Sequence, residues 1–281
     1  MKIGGSEFKW GARTYVMGVL NVTPDSFSGD GTGPDLQHAV DQALRLEDEG
    51  ADIIDIGGES TRPASVYPDA KPVTAEDEIR RVAPVVQALV GRLSVPMSVD
   101  TRKAAVALAA VHAGAAMAND VSMLGDPDMA ATISELGVPL VISHIRSKAQ
   151  YVDVVEDVAA DLRGAIATVE AAGMSRVNII ADPGIGFAKK PEHSLEVLRR
   201  LDELKVALEL PLLVGTSRKS FIGAVLDVPV EDRLEGTAAT VALSIARGAD
   251  IVRVHDVREM AKVAKMSDAV VRGWTRSSLG T

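Results

Sequence analysis

The feature that most constrains this chain is an eightfold alternation of short apolar runs with longer helix-like segments. The runs cover residues 15–21, 51–58, 96–101, 115–121, 139–145, 177–183, 212–217 and 250–257. They are near-continuous in Val, Ile and Leu and do not alternate with polar residues. That pattern belongs to parallel strands covered on both faces, because a strand exposed on one side alternates. Between them, helices are expected over 35–49, 74–91, 102–113, 128–136, 153–172, 192–207, 219–246 (broken near Pro229) and 258–273.

Local signals support the helices. Asp126 followed by Pro127 reads as an N-cap with proline at the first helical position. Thr74 with Asp77 resembles a capping box, with Asp in place of the usual Glu or Gln. Gly50, Gly114, Gly137, Gly173 and Gly248 stand where helix C-caps belong. No linker or low-complexity stretch divides the chain, so residues 1–281 read as a single domain, with a lead-in over 1–14 and a tail over 274–281. Eight such units predict an α/β fold, a single (β/α)8 TIM barrel with its active site at the C-terminal ends of the strands. An open doubly wound sheet is the alternative. It is disfavoured because no GxGxxG follows the first strand.

With 281 residues, 47% of them hydrophobic, the chain can bury a full core. It contains no cysteine, which excludes disulfides and thiolate metal sites and fits a reducing compartment. The first ten residues, MKIGGSEFKW, lack a signal-peptide core, and the alanine-rich run 104–118 is too short to span a bilayer. A soluble, cytoplasmic protein is expected, without membrane partners. The net charge of −9 and the 3% aromatic content argue against nucleic acid, which is bound through basic faces and stacking platforms. Any anionic ligand must therefore be held by a few well-placed groups.

Such groups lie at the strand ends: Asn21; Glu59 to Pro63; Asp100 and Thr101; Asn119 and Asp120; His144; Asp182; Ser217 to Ser220; and Arg253, His255 and Asp256. One polar residue there is often only a cap for the next helix. Eight strand ends carrying them at one rim describe a concave polar site. Asp100, Asn119 and Asp182 suit a flat heterocycle rich in N–H groups. Asp100 also reads as an N-cap, and Asn119-Asp120 as a turn. Arg62, Arg253 and His255 are donors suited to a phosphate or diphosphate, with Asn21 a hard-oxygen ligand for Mg²⁺. The helix start at Lys219 and Ser220 suits an anion. Phe27 and Phe187, two of only four phenylalanines, fall in loops of this face and hint at an aromatic ligand.

On these motifs the chain resembles the dihydropteroate synthase family of the folate pathway, the targets of sulfonamides. The resemblance spans about residues 15 to 273. It rests on the segments 21–28 (NVTPDSFS), 55–63 (DIGGESTRP), 98–101 (SVDT), 119–122 (NDVS), 182–187 (DPGIGF), 217–223 (SRKSFIG) and 253–257 (RVHDV). It implies condensation of 6-hydroxymethyl-7,8-dihydropterin diphosphate with p-aminobenzoate to give 7,8-dihydropteroate and diphosphate, by a dissociative, Mg²⁺-assisted route. Asp100, Lys219, Asn21 and His255 would carry the catalysis. Asp100, Asn119, Asp182, Lys219 and Arg253 would bind the pterin, with Arg253 stacking along it. Asn21, Arg62, Arg253 and His255 would hold the diphosphate, with Asn21 also at the metal. Thr61, Pro63, Phe187, Ser220 and Phe27 would line the p-aminobenzoate site, Phe27 and Asp25 in a closing loop. A homodimer is also implied.

The chain departs from that pattern in two places. Ser143-His144-Ile145 replaces the usual Met-His-Met at the end of the fifth strand. The stretch 64–72 after Arg62-Pro63 is longer than usual, which lengthening tolerates at little cost, and it could alter the sulfonamide response. Rival readings are a pterin-binding methyltransferase, a Schiff-base aldolase using Lys219, and a non-catalytic binding barrel.

Overall fold

The structure, a computed structural model, describes residues 1–22, 34–59 and 73–274. Strands β1 (Tyr15–Asn21), β2 (Ile53–Gly57), β3 (Met97–Thr101), β4 (Met117–Asp120), β5 (Leu140–Ser143), β6 (Ile179–Asp182), β7 (Leu213–Val214) and β8 (Ile251–Val254) form one parallel sheet. Their order is β6-β5-β4-β3-β2-β1-β8-β7, and a parallel bridge from Ala181 to Leu212 joins the two ends. The expected TIM barrel is the observed one.

Helices follow the strands as expected: α1 (Pro34–Asp48), α2 (Ala75–Leu89), α3 (Ala104–Ala113), α4 (Met129–Leu136) and α5 (Val154–Ala171) each after its own strand. The segment expected as one helix over 192–207 is two, α6 (Pro191–Arg199) and α7 (Leu201–Leu208). The chain bends at Arg200 (φ −115°, ψ 28°), whose guanidinium bonds Asp153 at 2.8 Å, the N-cap of α5. The break near Pro229 separates α8 (Ser220–Leu226) from α9 (Leu234–Ala246), and α10 (Val257–Val271) closes the ring.

Two local expectations change. Strand β7 is shorter than 212–217: it starts at Leu213, the Asp250 carboxylate accepting the Leu212 N–H at 2.8 Å, and it ends at Val214. Asp126 serves two helices: its Oδ1 accepts the Asp128 N–H at 3.0 Å in the turn that leads into α4, which starts at Met129, and its Oδ2 accepts the Ala104 N–H at 2.9 Å at the start of α3. Thr74 caps α2 as read, accepting from the Asp77 N–H at 3.1 Å. The five C-cap glycines all have positive φ.

Two apolar layers hold the barrel. One lies between strands and helices. The other fills the lower barrel with Met17, Ile53, Met117, Val141, Ile180, Leu213 and Ile251, plugged from below by Ile3 and Phe8. Truncating one of these, as in Ile53→Ala, should cost about 2–5 kcal/mol through lost contacts and a residual cavity. No helix among the described residues is long and apolar enough to cross a membrane.

Candidate active site

The strand period of two turns the plug into a site. Two residues beyond five of the seven strand plug residues, the same inward face carries Asp55 after Ile53, Asn119 after Met117, Ser143 after Val141, Asp182 after Ile180 and Arg253 after Ile251. The barrel floor is therefore apolar and its mouth polar. Register sets the neighbours: Asp100 pairs with Asn119, and Ser143 with Asp182.

Arg253 organises one side of the mouth. Its Nε donates to Asp55 Oδ2 at 2.6 Å and its Nη2 to Asp100 Oδ2 at 2.5 Å. Asn119 Nδ2 donates to the same Asp55 oxygen at 2.9 Å. Asp55 is fully buried and had no role assigned from the sequence, although a lone carboxylate inside Ile53-Ile54-Asp55-Ile56 was a signal. Three buried acceptors here have no hydrogen-bond partner among the described residues: Asp55 Oδ1, Asp100 Oδ1 and Asn119 Oδ1. Buried acceptors normally find donors, so this wall suits a ligand that brings N–H groups. The helix-cap reading of Asp100 fails, since Asp126 takes that place. The turn reading holds for Asp120 alone, which accepts from the Ser122 and Leu124 N–H groups at 2.8 and 2.5 Å.

Burial pushes the Asp100 carboxyl upward, and the neighbouring Asp55, Glu78 and Asp120 charges add to it against the pull of Arg253. The two carboxylates in turn hold the Arg253 proton more tightly than usual.

The opposite wall is the β6–α6 loop. Ser143 donates to Asp182 Oδ2 at 2.8 Å, and Asp182 Oδ1 accepts the Gly184 N–H at 2.8 Å. Serine where Met is usual thus orients Asp182. Gly184 is required: its φ is +65°, and an added Cβ would sit 1.9 Å from the His144 carbonyl oxygen. Lys219, the residue before α8, donates to the Ile185 carbonyl, and its Nζ lies 4.4 Å from the Phe187 ring centroid. Burial pulls the Lys219 ammonium down to about 8, while Asp182 and Asp100 oppose that and Arg253 reinforces it.

Asn21 ends β1 beside Gly57, half-buried. His255 is exposed and its Nδ1 lies 3.0 Å from Ser217 Oγ. Ser220 is exposed at the start of α8. Arg218 turns away to Asp256, at 2.8 and 2.9 Å, and braces the α8 loop. Thr61, Arg62, Pro63, Phe27, Asp25 and the 64–72 stretch lie outside the described residues. Among the described residues no group of three or more His, Cys, Asp or Glu could hold a metal ion. The donor set thus lacks an all-protein cage. The Asn21 side chain at the end of β1 supplies one hard amide oxygen of the type Mg²⁺ takes.

The family model described as pterin binding enzyme matches residues 17–255. A dihydropteroate synthase of Clostridium beijerinckii is 47% identical over 97% of this chain and 100% of its own. The crystal structure of dihydropteroate synthase from Clostridium difficile, determined in the presence of pteroic acid, is 46% identical with a TM-score of 0.89. It covers 95% of this chain and 100% of that one. The Xanthomonas albilineans dihydropteroate synthase in complex with 7,8-dihydropteroate is 41% identical with a TM-score of 0.82, covering 92% and 94%.

Proposed function

The chain belongs to the pterin-binding enzyme family and, within it, to the dihydropteroate synthases, which are transferases; on that premise we propose that it joins 6-hydroxymethyl-7,8-dihydropterin diphosphate to p-aminobenzoate. The observation that carries the reading is the set of unpartnered buried acceptors on Asp100 and Asn119, facing the oriented Asp182. They match the N–H edge of a pterin, and Lys219 offers the matching donor to a ring acceptor.

Each residue then has a task. Asp100, Asn119 and Asp182 bind the pterin, and Arg253 holds Asp100 at the mouth. The bond between the pterin methylene and the diphosphate oxygen breaks first, and the electron pair leaves with the diphosphate. The carboxylate of Asp100 would supply the counter-charge for the cation left behind. The arylamine nitrogen attacks that carbon, and its extra proton passes to water. No dedicated base is needed for a neutral amine. His255 and Arg62 would grip the diphosphate, with Arg253 reaching it from Asp100. Phe187, Ser220, Thr61, Pro63 and Phe27 would receive p-aminobenzoate. Mg²⁺ held by Asn21 and the phosphates would neutralise charge on the leaving group.

A cytoplasmic homodimer remains part of the proposal. The 64–72 stretch, next to Thr61 and Pro63 in sequence, is proposed to alter the sulfonamide response, and equal inhibition before and after trimming it would contradict that.

Calorimetric titration with the dihydropterin diphosphate tests the site directly. Asn119→Leu should weaken binding at least about tenfold, the effect of about 1.4 kcal/mol. Equal binding by the folded variant would contradict the assignment.

A further inference from the structure

A second buried polar cluster lies behind the β6–α6 loop, and nothing above uses it. Lys189 is 9% exposed. Its Nζ lies 2.7 Å from His144 Nδ1, 3.1 Å from the Gly184 carbonyl oxygen and 3.3 Å from the Phe187 carbonyl oxygen. An ammonium has three N–H donors, and here three acceptors meet them. On its far side, His144 Nε2 lies 3.0 Å from Asp161 Oδ2, which also accepts from Arg146 Nε at 2.5 Å.

These contacts determine the state of the imidazole. For Nδ1 to accept from Lys189, the ring proton must sit on Nε2, where it donates to Asp161. Burial and the Lys189 charge push His144 down to about 4, so the ring stays neutral. The chain of contacts runs from Arg146 through Asp161 and His144 to Lys189. It ends on the backbone of the loop whose Ile185 carbonyl and Phe187 ring touch Lys219.

We propose that Lys189 is a positioning residue for the reaction proposed above, on which this inference rests: its ammonium ties residues 184–187 to His144 and so sets Phe187 and Lys219 for the two substrates. The electrostatic surroundings make that tie pH-sensitive. Asp182 and Asp161 favour the ammonium, Lys219 and Arg146 oppose it, and the Tyr151 ring lies 5.8 Å away. Burial outweighs the rest and pulls Lys189 down to about 7. A neutral amine has one donor fewer, so one of the three contacts lapses as pH rises and the loop loosens.

The test compares the full chain with Lys189→Met at saturating dihydropterin diphosphate, following KM for p-aminobenzoate against pH. In the wild type KM should climb as pH rises through about 7. In the variant it should be raised about tenfold at the acid end and should lack the part of the climb near pH 7 that the wild type adds, with kcat little changed. Asp100 and Lys219 titrate in both proteins, so only the difference between them bears on Lys189. An unchanged KM, or the same pH dependence in both, overturns the inference. Should the variant not fold, side-chain ¹⁵N NMR of wild-type histidines decides. His144 should be the Nε2–H tautomer between about pH 5 and 8, and an Nδ1–H tautomer or an imidazolium overturns the inference. Lack of any dihydropteroate from the wild type would instead sink the functional reading, which the NMR result does not depend on.

Discussion

Arg253 Nε and Asp55 Oδ2 stand 2.6 Å apart at the mouth of the barrel, on strands β8 and β2, and the carboxylate is wholly buried. The same oxygen accepts from Asn119 Nδ2, so the pair also decides which way the Asn119 amide faces. With its nitrogen committed to Asp55, Asn119 turns its unpartnered oxygen to the ligand. One ion pair thus sets both an arginine and an amide.

Asp55→Ala should therefore damage more than its own position. It leaves Arg253 short of one carboxylate and Asn119 without an acceptor. Breaking a buried pair by removing one partner costs about 3–5 kcal/mol. Urea unfolding should show that loss, and a midpoint unchanged from wild type would refute the central role of the pair.

Asp100→Asn keeps the shape of the side chain and removes the charge. If the carboxylate stabilises the cationic pterin methylene, kcat should fall about 10²–10³-fold, as when one preorganised electrostatic group is lost. Steady-state kinetics on the folded variant would measure this. A loss confined to KM would assign Asp100 to binding alone.

The pH dependence follows from two shifted groups. Asp100 acts ionised, and burial raises it to about 7, so activity falls as pH drops below that value. Lys219 acts as the ammonium, and burial lowers it to about 8, so activity falls again above that. A narrow bell in kcat/KM is expected, with its maximum between the two. A plateau from pH 5 to 10 would show that neither group is used in this way.

Gly184→Ala should disrupt the pterin wall from the backbone. The new Cβ would meet the His144 carbonyl oxygen at 1.9 Å, at a φ of +65° that side chains rarely adopt. Strain of about 1–3 kcal/mol is expected before the clash is relieved by moving the loop. Thermal unfolding and binding of the dihydropterin diphosphate should both weaken. An alanine variant that binds normally would mean the loop has slack that this geometry does not suggest.

The barrel was legible because its strands are buried on both faces and so read as unbroken apolar runs. At the start of β7 a side chain, Asp250, takes the Leu212 N–H, which no apolar run announces. Asp126 was legible only in part, because its second carboxylate oxygen serves the preceding helix across 22 residues of sequence. The site residues Asp100, Asn119, Asp182, Lys219 and Arg253 were visible as polar groups where strands end, and the fold gathers them. Their partners were not visible. Asp55 and Arg253 are 198 residues apart, and no local pattern announces the bond. Ser143 and Lys189 likewise acquire meaning only when β5, β6 and the loop between β6 and α6 are brought side by side.

The most direct measurement follows both products in one vessel. The purified chain is incubated with dihydropterin diphosphate, p-aminobenzoate and Mg²⁺. The account predicts 7,8-dihydropteroate and diphosphate in equal amounts, with no dihydropteroate when p-aminobenzoate is omitted. Folded protein that binds the pterin and yet forms no dihydropteroate would contradict it.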